Sequence, residues 1–113
     1  MFLAHCAADK KAENISVIDA RGGSGIADFF VICSASSERA VKALGEHVEK
    51  SLREKKIRIL DREGLARQTW ILIGTGDVII HIFHPQAREF YNLEGLWSDL
   101  PRVKFEAGSA TPL

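Results

Sequence analysis

The chain has 113 residues, 46% of them hydrophobic and 27% charged, and its 15 Lys and Arg balance its 15 Asp and Glu. This length suits one domain with a core of its own, and the composition is globular rather than disordered. Zero net charge disfavours a nucleic-acid binder that neutralises phosphates, unless the charges segregate to one face. Cys6 and Cys33 are too few for a disulfide scaffold, no apolar run could span a bilayer, and the first residues do not resemble a signal peptide. We therefore expect a cytoplasmic domain.

The first third of the chain predicts a short helix followed by two strands. Residues 2–11 are alanine-rich and favour a helix. Residues 15–19 (ISVID) form the first predicted strand, which a glycine-rich turn at 21–25 closes. Residues 28–34 (DFFVICS) are nearly all apolar, which predicts a second strand buried on both faces.

A long amphipathic helix is predicted next, from the serines at 34–37 to about Lys56. The serines can cap its N-terminus, Glu38 lies near the positive end of the helix dipole, and three cations in the last turn lie near its negative end. Gly45 costs about 1 kcal/mol relative to alanine and suggests close packing. The apolar stripe of this helix consists of Val41, Leu44, Val48 and Leu52.

Three more strands and a short helix complete the predicted elements. The strands cover residues 57–60, 68–73 and 78–83, and the last two are joined by a hairpin loop at 74–77. Pro85 suits the first helical position, and residues 86–92 continue the short helix. The fold class is therefore α/β (α+β), with a mixed sheet of about five strands flanked by helices. Residues 1–107 form a single domain, and residues 108–113 are expected to be a frayed tail.

Two types of phosphate chemistry are considered for the glycine-rich turn. A phosphate cradle needs a turn that leads into a helix N-terminus, whereas this turn leads into a strand. Nucleotidyl transfer needs two convergent carboxylates that hold two metal ions. Asp28 could be one of them, but the position two residues on is Phe30. We expect neither activity, and we expect Asp28 to have a structural role.

The remaining polar candidates also favour structural roles. His81 and His84 are half of a metal site at most, because zinc needs three or four ligands. We expect His81 to be hydrogen-bonded at a sheet edge or interface. Cys33 lies in an apolar strand and is interpreted as a small buried hydrophobe rather than a nucleophile. No cofactor and no metal are therefore expected.

The last third of the chain combines aromatic and charged residues, which is the composition of protein interfaces. The aromatic residues can also belong to the core, and this interpretation is favoured for Phe83 and Phe90 but not for Trp70. The residues concerned are Trp70, Phe83, Phe90, Tyr91 and Trp97, with Asp77, Arg88, Glu89 and Glu94 between them.

A series of short motifs runs through the middle and last third of the chain. They are DFFVIC at 28–33, SSER at 36–39, EG at 63–64, WIL at 70–72, GDVIIHIF at 76–83 and REFYNLEGLW at 88–97. Through these motifs the chain resembles, over residues 11–101, the ribosomal silencing factors, also called Iojap-like proteins. Gly95 stands where an arginine is common in that family, Asn14 where an aspartate is common, and Phe29 where a tyrosine is usual.

The resemblance implies a fold similar to nucleotidyltransferases without their catalytic carboxylates. It also implies binding to the large ribosomal subunit through ribosomal protein fourteen, which blocks joining of the small subunit and lowers translation when nutrients are scarce. A bacterial, cytoplasmic, non-enzymatic member is expected. We expect little or no sequence-specific nucleic-acid binding, no membrane partner, and a homodimer as a possible free state. The alternatives are a nucleotide-binding or nucleotidyltransferase-like enzyme and a homodimeric module with another partner.

Partner-binding residues are proposed on this basis. Trp70 and Leu72 share one face of their strand and are predicted to anchor the contact, since Trp70 is expected beside Asp77 across the hairpin. Acidic side chains are predicted to pair with Lys or Arg of a basic partner. These are Asp77, Glu63 and Glu94. Structural or docking roles are assigned to Asp28, His81, Arg88, Tyr91 and Trp97.

Overall fold

The structure, a computed structural model, describes residues 2–23, 25–64 and 69–105. Six strands and four helices lie within these ranges. In chain order they are α1 (Phe2–Asp9), β1 (Glu13–Asp19), β2 (Phe29–Ser34), α2 (Glu38–Glu54), β3 (Asp61–Glu63), β4 (Trp70–Gly74), β5 (Val78–Phe83), α3 (Pro85–Tyr91), α4 (Leu93–Leu96) and β6 (Arg102–Val103).

The strands form one mixed sheet in the order β3-β4-β5-β2-β1-β6. β2 and β5 are parallel neighbours, and every other neighbouring pair is antiparallel. Parallel neighbours need a crossover connection, and α2 forms part of the one between β2 and β5. The predicted α+β class is confirmed. The sheet has six strands within the described ranges rather than about five, because β6 pairs with β1.

α1 and α2 cover one face of the sheet. The predicted start of α2 is confirmed, since the Ser37 hydroxyl accepts a hydrogen bond from the Ala40 N–H at 3.1 Å. All four residues of the predicted apolar stripe are buried. A Cβ on Gly45 would come within 3.0 Å of Cδ1 of Ile71 on β4, which confirms that the glycine permits close packing. The larger part of the hydrophobic core therefore lies between these helices and the sheet.

Of the other face of the sheet, the described residues cover only part, through α3, α4 and the chain that follows them. Its buried residues include Phe30, Ile32 and Phe83. The Trp97 ring stacks on the Phe30 ring with centroids 4.1 Å apart. β2 contributes buried residues to both cores, so its predicted burial on two faces is confirmed.

One predicted strand is misplaced. Residues 57–60 do not pair with the sheet as a strand, and β3 begins only at Asp61. Ile59 packs against the core, while Ile57 and Leu60 remain exposed. The apolar residues that predicted a strand therefore lie in the segment that leads into β3, the edge strand. Leu60 N–H already donates to the Gly74 carbonyl at 2.8 Å.

Other boundaries differ by a few residues. β1 begins two residues earlier than predicted, beyond a bulge at which Asn14 has a φ of +50°. α3 ends at Tyr91 because Asn92 adopts a left-handed φ of +47°, and the Asn92 side chain then accepts from the Gly95 N–H at the start of α4. Gln68, where a strand was predicted to begin, and the predicted tail at 108–113 lie outside the described residues. Within those residues, no helix is long and apolar enough to cross a membrane.

Candidate functional site

A groove of about 270 Å³ opens at the β3–β4 edge, on the partly covered face of the sheet. Glu63, Gly64, Trp70 and Leu72 line it. Trp70 and Leu72 alternate with residues buried on the opposite face of β4, and Leu72 lies opposite Glu63 in the strand register. A side chain on Gly64, which has a φ of +86°, would overlap the Trp70 carbonyl. Three of the five predicted partner-binding residues therefore come together in one groove.

The indole of Trp70 is held in place by His81. Its Nε1–H donates to Nδ1 of His81 at 3.1 Å, which requires a neutral imidazole with its proton on Nε2. Burial lowers the pKa of His81 to about 4. The predicted hydrogen bond of His81 is confirmed, but its predicted place at a sheet edge or interface is wrong: β5 is the third of six strands, and His81 is 4% exposed. Its role is to orient Trp70 from within the sheet.

An aromatic row continues from the groove onto α3. The Tyr91 ring lies 4.7 Å from the Trp70 ring and 5.1 Å from the Phe90 ring, measured between centroids. Phe90 is 81% exposed, so its assignment to the core is wrong, whereas Phe83 is buried as expected. Tyr91 is 49% exposed. We call Trp70, Leu72, Phe90 and Tyr91 the aromatic surface.

α3 and α4 are fixed to the sheet by a partly buried ionic network. Arg88 Nε donates to Glu94 Oε1 at 2.9 Å, and Arg88 Nη1 donates to the Ser34 hydroxyl on β2 at 3.0 Å. The Ser16 hydroxyl on β1 donates to Glu94 Oε2 at 2.8 Å. Burial alone would raise the pKa of Glu94, but hydrogen bonds from Arg88 and Ser16, with the charges of Arg88 and Arg102, lower it. The Glu94 carboxylate is therefore engaged within the molecule.

The structure separates Asp77 from Trp70. Trp70 pairs with Phe83, whereas Asp77 lies in the loop beyond the Gly74–Ile79 pair, at the other end of the hairpin. The expected Trp70–Asp77 proximity is wrong, because antiparallel pairing places the first residue of β4 opposite the last residue of β5. The Asp77 carbonyl instead accepts from the Asp28 N–H at 2.7 Å.

The residues considered for catalysis have structural surroundings. Phe30, which stands where a second carboxylate would be needed, is buried against Trp97. No group of three or more His, Cys, Asp or Glu that could hold a metal ion occurs among the described residues. The His84 side chain caps α3 by accepting from the Gln86 N–H at 3.3 Å. Burial raises the pKa of the Cys33 thiol to about 12, so this thiol is neutral and unreactive.

The turn at 21–25 holds a local ion pair. Arg21 Nη2 lies 2.8 Å from Asp19 Oδ2, and the Arg21 guanidinium lies 5.1 Å from the Phe29 ring centroid. The hydrogen bonds from Arg21 lower the pKa of Asp19. The turn joins β1 to β2, a strand, as the sequence predicted, and Ser24 within it lies outside the described residues.

The family of this chain is established by its similarity to known proteins. The family model described as "Ribosomal silencing factor during starvation" matches residues 2–112. The chain belongs to the ribosomal silencing factor family. The resemblance inferred from the motifs is thereby confirmed.

Individual relatives agree with the family assignment. The chain is 45% identical over 98 residues to the ribosomal silencing factor RsfS of Halalkalibacterium halodurans, covering 87% of this chain and 84% of the relative. It is 38% identical over 100 residues to RsfS of Bacillus subtilis, covering 88% and 85%. A crystal structure of a protein from Bacillus halodurans superposes with a TM-score of 0.81 at 40% identity, covering 92% of this chain and 95% of that one. Both RsfS relatives are named as ribosomal silencing factors.

Proposed function

We propose that this ribosomal silencing factor binds the large ribosomal subunit through ribosomal protein fourteen and thereby blocks joining of the small subunit. The observation that carries the proposal is the aromatic surface, which the rest of the described chain covers only in part and which lies beside an acidic rim residue, Glu63. A half-buried tryptophan and an exposed tyrosine beside a pocket are typical of the residues that dominate protein interfaces.

The chemistry of the groove suits a basic protein partner. Trp70 and Leu72 offer apolar area for an anchor, and Tyr91 and Phe90 extend that area along α3. Glu63 is exposed at the rim, where it can pair with a lysine or arginine and speed association. A stable contact needs roughly 800 Å² from each partner, and the aromatic surface forms the centre of such a patch.

The proposed mechanism is steric and requires no turnover. A domain of 12.5 kDa bound at the joining face occupies space that the small subunit needs. The factor is therefore proposed to act without catalysis or a cofactor, in the cytoplasm, and to lower translation when nutrients are scarce. Its control over translation then depends only on its affinity and concentration.

Binding to isolated large subunits tests the anchor. Leu72→Ala removes apolar area from the groove, and Glu63→Lys reverses the rim charge, so both are expected to weaken binding at least tenfold, or by about 1.4 kcal/mol. The matched control is Glu46→Lys, an exposed charge reversal on α2, which packs on the opposite face of the sheet. Equal effects of Glu63→Lys and Glu46→Lys would show that overall charge, not the groove, governs binding.

The roles of Asp77 and Trp70 need separate tests. If Asp77 pairs with the partner, Asp77→Lys slows association and changes its salt dependence, and unchanged kinetics would place Asp77 outside the contact. Trp70→Ala is expected to weaken binding more than it lowers stability. Equal losses would mean that Trp70 serves only the core.

Self-association through the same surface is the competing proposal. An open apolar patch can be covered by a second copy of the chain. Sedimentation at rising concentration measures it, with the Leu72→Ala variant as the comparison. A dimer that Leu72→Ala abolishes would show that partner binding and self-association compete for one surface.

A further inference from the structure

A basic segment follows the middle of α2 and takes no part in the aromatic surface. Residues 50–58 carry a net charge of +4, so the other 104 residues together carry −4 in a chain of zero net charge. The neutral total therefore conceals a segregated charge distribution. The cations of this segment are Lys50, Arg53, Lys55, Lys56 and Arg58.

These five cations are available to a partner. All are exposed, and none forms an ion pair with any residue that the structure describes. Arg62, the next cation along the chain, differs because it lies 2.7 Å from Glu49. Exposed cations without carboxylate partners keep their full attraction for an external anion.

The basic segment spans the last turn of α2 and the residues that directly follow it. α2 ends at Glu54, Lys55 is its C-cap, and Lys56 takes a left-handed φ of +59° that turns the chain back. The chain then runs to β3, which forms the edge of the sheet where the groove opens. The basic segment therefore precedes β3, the edge strand whose Glu63 lines the groove, although α2 itself packs on the opposite face of the sheet.

Sequence-independent binding of phosphates is the chemistry that this segment fits. Clustered Lys and Arg bind nucleic acid mainly by neutralising backbone phosphates and releasing counterions. A membrane surface fits less well, because a helix that lies in a bilayer interface needs a free apolar face. The apolar stripe of α2 is buried against the sheet.

We propose that the basic segment binds the phosphate backbone of RNA, as a second contact beside the protein-binding groove. The inference that the segment contacts RNA rests on the charges of the segment. The inference that this contact strengthens binding to the large subunit rests also on the proposed function. Each neutralised duplex phosphate adds about 0.9 to the slope of log affinity against log salt. Affinity decreases by a certain factor when the salt concentration rises from about 50 to about 200 mM. Loss of two phosphate contacts makes that factor about tenfold smaller.

Fluorescence polarisation with a labelled RNA duplex of arbitrary sequence tests the proposal. The test variant is Lys56→Gln with Arg58→Gln, which removes two charges beyond the end of α2. The matched control is Arg39→Gln with Lys42→Gln, which removes two exposed charges near the start of the same helix. We expect the test variant to bind more weakly with a flatter salt dependence, and the control to bind as the unchanged protein does.

Three results would overturn the proposal. They are no binding of the duplex by the unchanged protein, equal weakening in both variants, and binding of phosphatidylserine vesicles but not of RNA. Binding of both variants to isolated large subunits, at two salt concentrations, separates this inference from the proposed function. If the groove binds the subunit but the basic segment does not contact RNA, the test variant and the control bind large subunits equally well. If the proposed function is wrong, the unchanged protein itself does not bind large subunits.

Discussion

His81 makes the stability of the fold depend on pH. Its imidazole is buried in β5 and accepts a hydrogen bond from Trp70, so the folded state favours the neutral form and its pKa falls from 6.5 to about 4. The unfolded chain binds the proton near the ordinary pKa. The stabilisation is therefore complete above about pH 6.5 and is lost as the pH falls towards 4.

The size of the effect follows from that difference in pKa. One pKa unit is worth about 1.4 kcal/mol, so full protonation costs about 3 kcal/mol. At about pH 5 the unfolded chain is almost fully protonated at this position and the folded chain is not, which gives a loss of about 2 kcal/mol. In a domain whose total stability is of order 5–15 kcal/mol, this loss is readily measured.

Urea unfolding of the chain and of a His81→Gln variant, at about pH 7.5 and about pH 5, isolates this group. Every other titrating side chain is common to both proteins, so their contributions cancel in the comparison. We expect the unchanged protein to lose about 2 kcal/mol more than the variant between the two pH values. Equal losses would refute the assignment of a buried, neutral imidazole that orients Trp70.

Three further predictions concern the frame of the site. Arg88→Met and Glu94→Gln each remove one partner of a partly buried ion pair and should each cost about 1–3 kcal/mol in urea unfolding, with the double variant costing less than the sum. Additive costs would contradict a direct pairing. Gly64→Ala, which drives a Cβ into a backbone carbonyl at positive φ, should lower the melting temperature far more than Gly22→Ala, which meets open space. Asn14 has a φ of +50°, which Asn and Asp tolerate and a β-branched residue does not, so Asn14→Val should lower the free energy of unfolding by about 1–2 kcal/mol and Asn14→Asp by much less. Similar losses in the two variants would exclude backbone strain as the cause.

α1, α2, α3 and the central strands were predictable because their signals are local, whereas α4 was not predicted. The start of α2 follows from a capping serine and its buried face from a repeat of apolar residues, both of which are visible in the sequence. β6 left no such signal, since its two residues gain a strand conformation only by pairing with β1. Residues 57–60 gave a false signal, because their side chains alternate while their backbone bonds to the sheet only at Leu60, just before β3 begins.

The composition of the site was predictable, but its assembly was only partly so. Alternation along β4 correctly placed Trp70 and Leu72 on one face, and the register added Glu63 beside them. The order of strands places His81 in the interior of the sheet, and no local pattern encodes that order. Asp77 lies far from Trp70 because the β4–β5 hairpin is antiparallel, which the predicted hairpin loop already implied. The exposure of Phe90 depends on how α3 lies on the sheet, which the Arg88 network fixes at long range.

Joining of purified bacterial ribosomal subunits, followed by light scattering, tests the central claim most directly. The order of addition is the decisive variable, because a steric block at the large subunit requires the factor to be bound there first. Pre-incubation with large subunits is predicted to inhibit joining, and Leu72→Ala is predicted to relieve that inhibition while Glu46→Lys does not. Normal joining after pre-incubation with large subunits, at a concentration at which the factor co-sediments with them, would contradict the proposed steric block.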